Sequence, residues 1–230
     1  NEDALLEAKP DLIISQTTCE VCAAHNNQVD KALRILPNKP IIHSMDPHSL
    51  EEIIHSISKL TDIIGYEKKG SILQQQLRKR IDKIKNKNKK STPNVLAIEW
   101  IQPFFTAGHW IPEMIHFAGG NNLISKSGEH SRKLSFQEIK DADPDIIVIM
   151  PCGFDLERTQ KEYQNTLPNN KEWNSLRAVR NGSVFLVNAD AYFSKPSIRT
   201  VTGLEILAKI ICPDEFKSLE IPERSFMQIK

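Results

Sequence analysis

The chain has 230 residues, 40% of them hydrophobic, and its 30 Lys and Arg against 29 Asp and Glu leave a formal net charge of +1. That length allows one large domain or two small ones with an adequate core. The near balance of charge argues against a dedicated nucleic-acid binder, which needs a basic excess to displace phosphate counterions, and no apolar run approaches the roughly 20 residues of a membrane-crossing helix.

In chain order, Leu5 to Lys9 reads as a helix end, Pro10-Asp11 as a turn and Leu12-Ile13-Ile14 as a buried strand leading to Cys19, because proline halts a helix and a short branched run suits a parallel strand. Cys19 and Cys22 form C-x-x-C. That spacing occurs in redox pairs and half zinc sites, but no second pair completes a tetrahedral set, and small buried residues at a strand end are an equal reading. Pro40 to Asp46 is a second strand. A lobe with two clear strands before Asp46 has fewer than a stable sheet needs, so residues upstream of Asn1 are expected to be missing.

Ser49-Leu50-Glu51-Glu52 is a capping-box pattern, and Leu50, Ile53, Ile54, Ile57, Leu60 and Ile64 recur at helical spacing until Gly65. From Glu67, Ile72, Leu73, Leu77, Ile81 and Ile84 mark a second amphipathic helix, which runs out in Lys85 to Lys90. With no aromatics interleaved, that basic run reads as a solvated helix end rather than a nucleic-acid patch. A helix of some 20 residues would be roughly 30 Å long, enough to pass between two lobes.

Val95 to Trp100 is a strand that opens into a loop rich in rings before a helix beginning near Pro112 and ending at Gly119-Gly120. This gathers Trp100, Phe104, Phe105, His109, Trp110 and Glu113 at the carboxyl end of a strand, where α/β folds bind ligands. The rings either cover something flat or pack between lobes. Ile139 to Met150 then repeats the opening theme of helix end, Pro144-Asp145 turn and apolar strand, reaching Cys152. Phe154 and Arg158 follow it, Arg158 as an anion clamp, and the strand Ser183 to Asp190 is followed by Tyr192 and Phe193. Cys212, late in an apolar helix, reads as core, and His25, His43, His48 and His130 read as surface or turn residues.

The stretch Phe105-Thr106-Ala107-Gly108 with Gly119-Gly120-Asn121-Asn122-Leu123-Ile124, the paired Pro-Asp strands and the central helix resemble the substrate-binding proteins of ABC importers for cobalamin and iron-siderophore complexes. Cys19-Glu20-Val21-Cys22, Gly108 to Glu113 and Met150 to Phe154 are similar to the subgroup labelled cobalamin-binding, over about Ala4 to Pro213. The resemblance implies an α/β fold of two Rossmann-like lobes with mainly parallel sheets joined by one long rigid helix, here divided as residues 1–65, 66–92 and 93–230 with the first lobe incomplete.

It also implies a binding protein rather than an enzyme, extracytoplasmic and monomeric. Such a protein needs no cofactor, holds a corrinoid or ferric chelate in the cleft and delivers it to an ABC permease. Tyr192 falls where cobalamin binders stack a ring on the corrin, and Phe105 lies in a loop that approaches the ligand. Where such proteins carry a docking glutamate on each lobe, this chain has neutral residues around Asn26 and Ser194.

The expected ligand contacts are Phe105, His109, Trp110, Trp100, Glu113, Phe154, Arg158, Tyr192 and Phe193, with Cys19, Cys22 and Cys152 as a candidate metal set. Corrinoids stand ahead of ferric siderophores because rings outnumber cations in these loops. The rival expectation is a cytoplasmic metal- or tetrapyrrole-handling protein or enzyme on the same scaffold, working through those Cys, His and Glu side chains.

Overall fold

A computed structural model describes residues 2–17 and 26–229, with only the backbone of 26–28. Helix α1 (Glu2–Ala8), strand β1 (Leu12–Gln16), α2 (Asn26–Ile35) and β2 (Ile41–Met45) make a small first unit. Helices α3 (Leu50–Ile63) and α4 (Glu67–Lys85) follow. The remainder runs β3 (Asn94–Ile101), β4 (Phe104–Thr106), α5 (Ile111–Ala118), β5 (Asn121–Asn122), α6 (Phe136–Ala142), β6 (Ile146–Ile149) and α7 (Leu156–Thr166). It ends with α8 (Lys171–Ser175), α9 (Arg177–Arg180), β7 (Val184–Val187), α10 (Ala189–Tyr192), α11 (Arg199–Ile211) and β8 (Phe226–Ile229).

The internal repeat of the sequence has a counterpart in the pairing. Strands β1 and β2 are parallel neighbours with Leu12 opposite Ile41, as β6 and β7 are with Ile147 opposite Val184. The larger sheet has the order β4-β3-β6-β7-β8, with β5 also on β3; its centre is parallel and its outer strands β4 and β8 are antiparallel. The fold is therefore α/β with a mainly parallel central sheet. The first pair is less covered than its apolar run predicts: Ile14 is 46% and Ile41 55% exposed.

Both faces of the larger sheet are buried, and the two-residue period of a strand divides them. Val95, Ala97 and Val148 point to a core shared with α3, α4, α5 and α11, while Leu96, Ile98, Ile147 and Ile149 point to one shared with Ile139, Leu156, Tyr163 and Trp173. Helix α3 starts where the serine predicts. Ser49 Oγ accepts from Glu52 N at 3.2 Å, and Glu52 reaches back to the backbone N–H of His48 at 2.6 Å rather than to Ser49 itself. Its inner residues Leu50, Ile53 and Ile54 belong to the core of the larger sheet.

Helix α4 lies across that core and is about 28 Å long at 1.5 Å per residue. Gly70 lets it approach α3 closely, since a Cβ there would sit 2.2 Å from Thr61 Oγ1. Arg80 forks onto Glu205 of α11 with bonds of 2.9 and 2.6 Å. The basic run is indeed a helix end: Lys89 Nζ donates to the carbonyls of Ile84 and Lys85, closing off orphan acceptors of the last turn.

One element differs from the sequence reading. Phe104 to Thr106, read as the start of a ring-rich loop, folds back on β3 as β4, with Trp100 opposite Phe105. Phe-Phe-Thr suits a pleated surface, and the short connection through Pro103 closes the hairpin.

Candidate functional site

A cleft of about 490 Å³ opens where the small unit meets the larger sheet. Gln16 at the end of β1 stands on one side. The other side is built at the ends of three parallel strands: Glu99 on β3 with the turn Gly108 to Ile111, Met150 to Gly153 after β6, and Phe193 to Pro196 beyond β7 and α10. The carboxyl ends of parallel strands are the usual ligand side of an α/β sheet, and here four strands contribute. The volume falls within the roughly 300–1,000 Å³ of small-molecule sites.

The turn carrying His109 is held rigidly. His109 N–H donates to the Glu129 carbonyl at 2.7 Å, its own carbonyl accepts from Gly128 N at 2.9 Å, and its φ is +54°. A side chain kept in the left-handed region costs free energy and marks a place worth functional scrutiny. Gly108 is needed because a Cβ there would lie 2.5 Å from Ser131 N. Opposite, Gly153 N–H donates to Ser194 Oγ at 2.8 Å and ties two wall loops together.

The wall is largely neutral. Burial, reinforced by His130 and His48 and opposed by Asp46, pushes the His109 imidazole down to about 4, so it is uncharged at neutral pH. Burial also raises the Glu99 carboxyl above the ordinary carboxylate range, opposed in part by Ser131 and the Gly108 backbone. Lys195 at the rim is held by Asp190 at 2.7 Å. His109 Nδ1 and Trp110 Nε1 are buried with no hydrogen-bond partner among the described residues, and buried polar atoms of that kind call for one.

Of the residues expected to touch ligand, His109, Trp110 and Phe193 line the cleft, as does Cys152 of the candidate metal set. The others stand off its wall. Trp100 and Phe105 leave with the β3–β4 hairpin, where Trp100 Nε1–H donates to the Gln102 carbonyl at 3.1 Å. Phe154 is buried, with Trp100 edge-on at 5.3 Å and the Arg158 guanidinium 3.7 Å from its ring centre. Tyr192 packs against the core, and Glu113 accepts from Leu50 N at 2.8 Å, capping α3. Cys19 and Cys22 lie outside the described residues, among which no group of three His, Cys, Asp or Glu is placed to hold a metal ion.

Three wall or near-wall features escape the sequence reading. Glu99 closes the apolar run Val95 to Ile98, and a lone acid at the end of a buried strand is a signal that could have been used. His43, read as surface, is buried on β2. His48 and His130, also read as surface or turn residues, come together with His109, with ring centres 5.0 to 5.6 Å apart. Their separation along the chain hides this.

A family model described as periplasmic binding protein matches residues 1–191. Among characterised proteins, the chain is 25% identical over 190 residues to the Staphylococcus aureus (strain MRSA252) high-affinity heme uptake system protein IsdE, covering 80% of this chain and 62% of that protein. The chain thus spans 62% of the length of the curated relatives it matches.

Three solved structures share the fold. An ABC transporter substrate-binding protein from Listeria monocytogenes EGD-e has a TM-score of 0.78 at 21% identity, over 93% of this chain and 81% of that one. S. aureus IsdE complexed with heme gives 0.75 at 22%, over 92% and 80%. The Vibrio cholerae periplasmic vitamin B12 binding protein BtuF gives 0.66 at 22%, over 91% and 76%.

Proposed function

The chain belongs to the periplasmic binding protein family, and we propose that its cleft captures a tetrapyrrole metal chelate, haem ahead of a corrinoid, for delivery to an ABC permease outside the cytoplasm. Members of the family are solute-binding proteins rather than enzymes, which leaves the rival catalytic reading without support. The observation that carries the proposal is the character of the wall: Trp110, Ile111, Met150 and Phe193 present apolar surface, and the ionisable groups among them, His109 and Glu99, are pushed toward their neutral forms by burial. A flat macrocycle buries its apolar faces there, while the orphan nitrogens of His109 and Trp110 fix its orientation. An anionic siderophore chelate fits less well, because Arg158 stands away from the wall and Lys195 is paired.

Haem precedes corrinoids on two counts. It is the smaller and flatter ligand for a cleft of about 490 Å³, and the first relatives named above serve its uptake. The vitamin B12 protein among the structural neighbours keeps corrinoids as the second reading.

Ser194, which aligns with a docking position of cobalamin binders, is turned to the Gly153 backbone inside the cleft, so a permease would have to read other features of the rims. Absorbance and calorimetric titration with haem, hydroxocobalamin and a ferric hydroxamate tests the proposal. Saturable one-to-one binding of haem at micromolar affinity or tighter is expected, and binding of the hydroxamate alone would refute the tetrapyrrole reading.

A further inference from the structure

His48, His109 and His130 come from three separate segments: the turn entering α3, the cleft wall, and the loop between β5 and α6. His48 and His109 lie 5.6 Å apart, His48 and His130 5.5 Å, and His109 and His130 5.0 Å edge to face. The rings pack on one another, and among the described residues no group of three such side chains is placed to hold a metal ion; the chemistry they share is that of protons.

The cluster also sits on a seam. His48 Nδ1 is 3.2 Å from the Gly128 carbonyl, Gly128 N–H donates to the His109 carbonyl, and Leu50 N–H donates to Glu113. The entry to α3 is thereby fastened to the loop that holds the His109 turn in place.

We propose that these three histidines form a proton-operated latch: uncharged, they pack together and keep the His109 turn in its ligand-ready shape, and as the medium acidifies their mutual repulsion parts the α3 entry from the Gly128 loop and loosens the cleft. This regulation rests on the ligand site proposed above.

The charges around the cluster set its sensitivity. Asp46 lies 3.3 Å from His48 Nε2, while Glu52 is occupied by the His48 backbone. On the loop, Glu129 is paired with Lys126 at 3.7 Å. Behind the turn, Glu99 is buried and Glu113 is committed to Leu50; across the cleft, Lys195 is held by Asp190. Among the described residues, one carboxylate therefore faces three imidazoles whose ring centres lie 5.0 to 5.6 Å apart in a partly buried place, where like charges repel strongly.

Hydrogen exchange of the whole chain, corrected for intrinsic rates, tests the latch without any ligand. Between about pH 7.5 and 5.5, protection of the segments 46–52 and 126–131 should fall by about tenfold, while α11 is unchanged. In His130→Gln, which removes one ring of the cluster, that fall should shrink. Equal protection at both pH values, or the same fall in His130→Gln, would overturn the latch.

Haem titration by tryptophan fluorescence completes the test. Affinity should drop by about tenfold over the same interval in the native chain and by clearly less in His130→Gln. A haem affinity equally independent of pH in both proteins would overturn the regulation. A pH-dependent seam in a protein that binds haem at neither pH would refute the ligand reading and leave the latch standing.

Discussion

His109 links acidity to the stability of the whole molecule, and the size of the effect can be worked out. Its imidazole is lowered from 6.5 to about 4 in the folded chain. The unfolded chain therefore binds more protons between those values, and stability rises with pH across that window. The contribution is complete above pH 6.5 and is lost as pH falls toward 4.

A shift of two and a half units corresponds to at most about 3 kcal/mol at 1.36 kcal/mol per unit, and solvent screening at the open side of the cleft reduces it to about 1–2 kcal/mol. Urea unfolding of the native chain and of His109→Gln, at intervals from pH 7.5 to 4.5, measures this directly. The native chain should lose about 1–2 kcal/mol more than the variant over that range, with unchanged dependence on urea. Parallel curves would show that His109 titrates normally in the folded protein and that burial does not set its charge.

Four further outcomes follow from the same geometry. Trp110→Phe removes an indole N–H that has no partner among the described residues, so haem affinity in calorimetry should weaken by about 0.5–1.5 kcal/mol if a ligand oxygen accepts that bond; unchanged affinity would take Trp110 off the polar wall. Tyr192→Ala should lower thermal stability by about 1–3 kcal/mol while leaving haem affinity of the folded fraction intact, because the partly buried ring packs against the core. Loss of affinity without loss of stability would return Tyr192 to the ligand. Glu99→Gln should raise stability at neutral pH, since burial disfavours the ionised carboxylate there, and a less stable variant at pH 7 with equal stability at pH 4 would reverse that assignment. Gly203→Ala would place a Cβ 2.5 Å from the Tyr192 carbonyl, so a loss of about 1–3 kcal/mol in denaturant unfolding is expected, and a neutral substitution would mean α11 shifts freely.

The elements that sequence alone revealed are those whose signal is local. Pro10 and Pro144 punctuate matching helix–strand units; Ser49 and Gly119 cap helices as expected, Gly119 with φ of +101°; and the buried faces of α3 and α4 follow their apolar spacing except at Ile64 and Ile72, which are exposed. Strand β8, by contrast, exists through its pairing with β7, and Phe226 to Ile229 carries no pattern of its own. The site was legible to the extent that it sits on one loop: His109 and Trp110 face the cleft together. Which neighbours join them depends on the hairpin that turns Trp100 and Phe105 away, and on long-range packing that sends Tyr192 inward and brings His48 beside a residue 61 positions later. No reading of adjacent residues contains that information.

The helices between the two units have their inner faces in the same core as the larger sheet: Leu50 and Ile54 from α3, Leu77, Ile81 and Ile84 from α4, together with Ile115 and Leu207, with Arg80 bolted to Glu205 outside it. A part built that way behaves as an anvil: among the described residues, Gln16 comes from the small β1–β2 pair and the rest of the cleft's lining stands on the larger sheet's side. Selectivity, a matter of fit, is therefore expected to be written mainly in the anvil. Two chains with the same anvil and different small units would be expected to choose the same ligand.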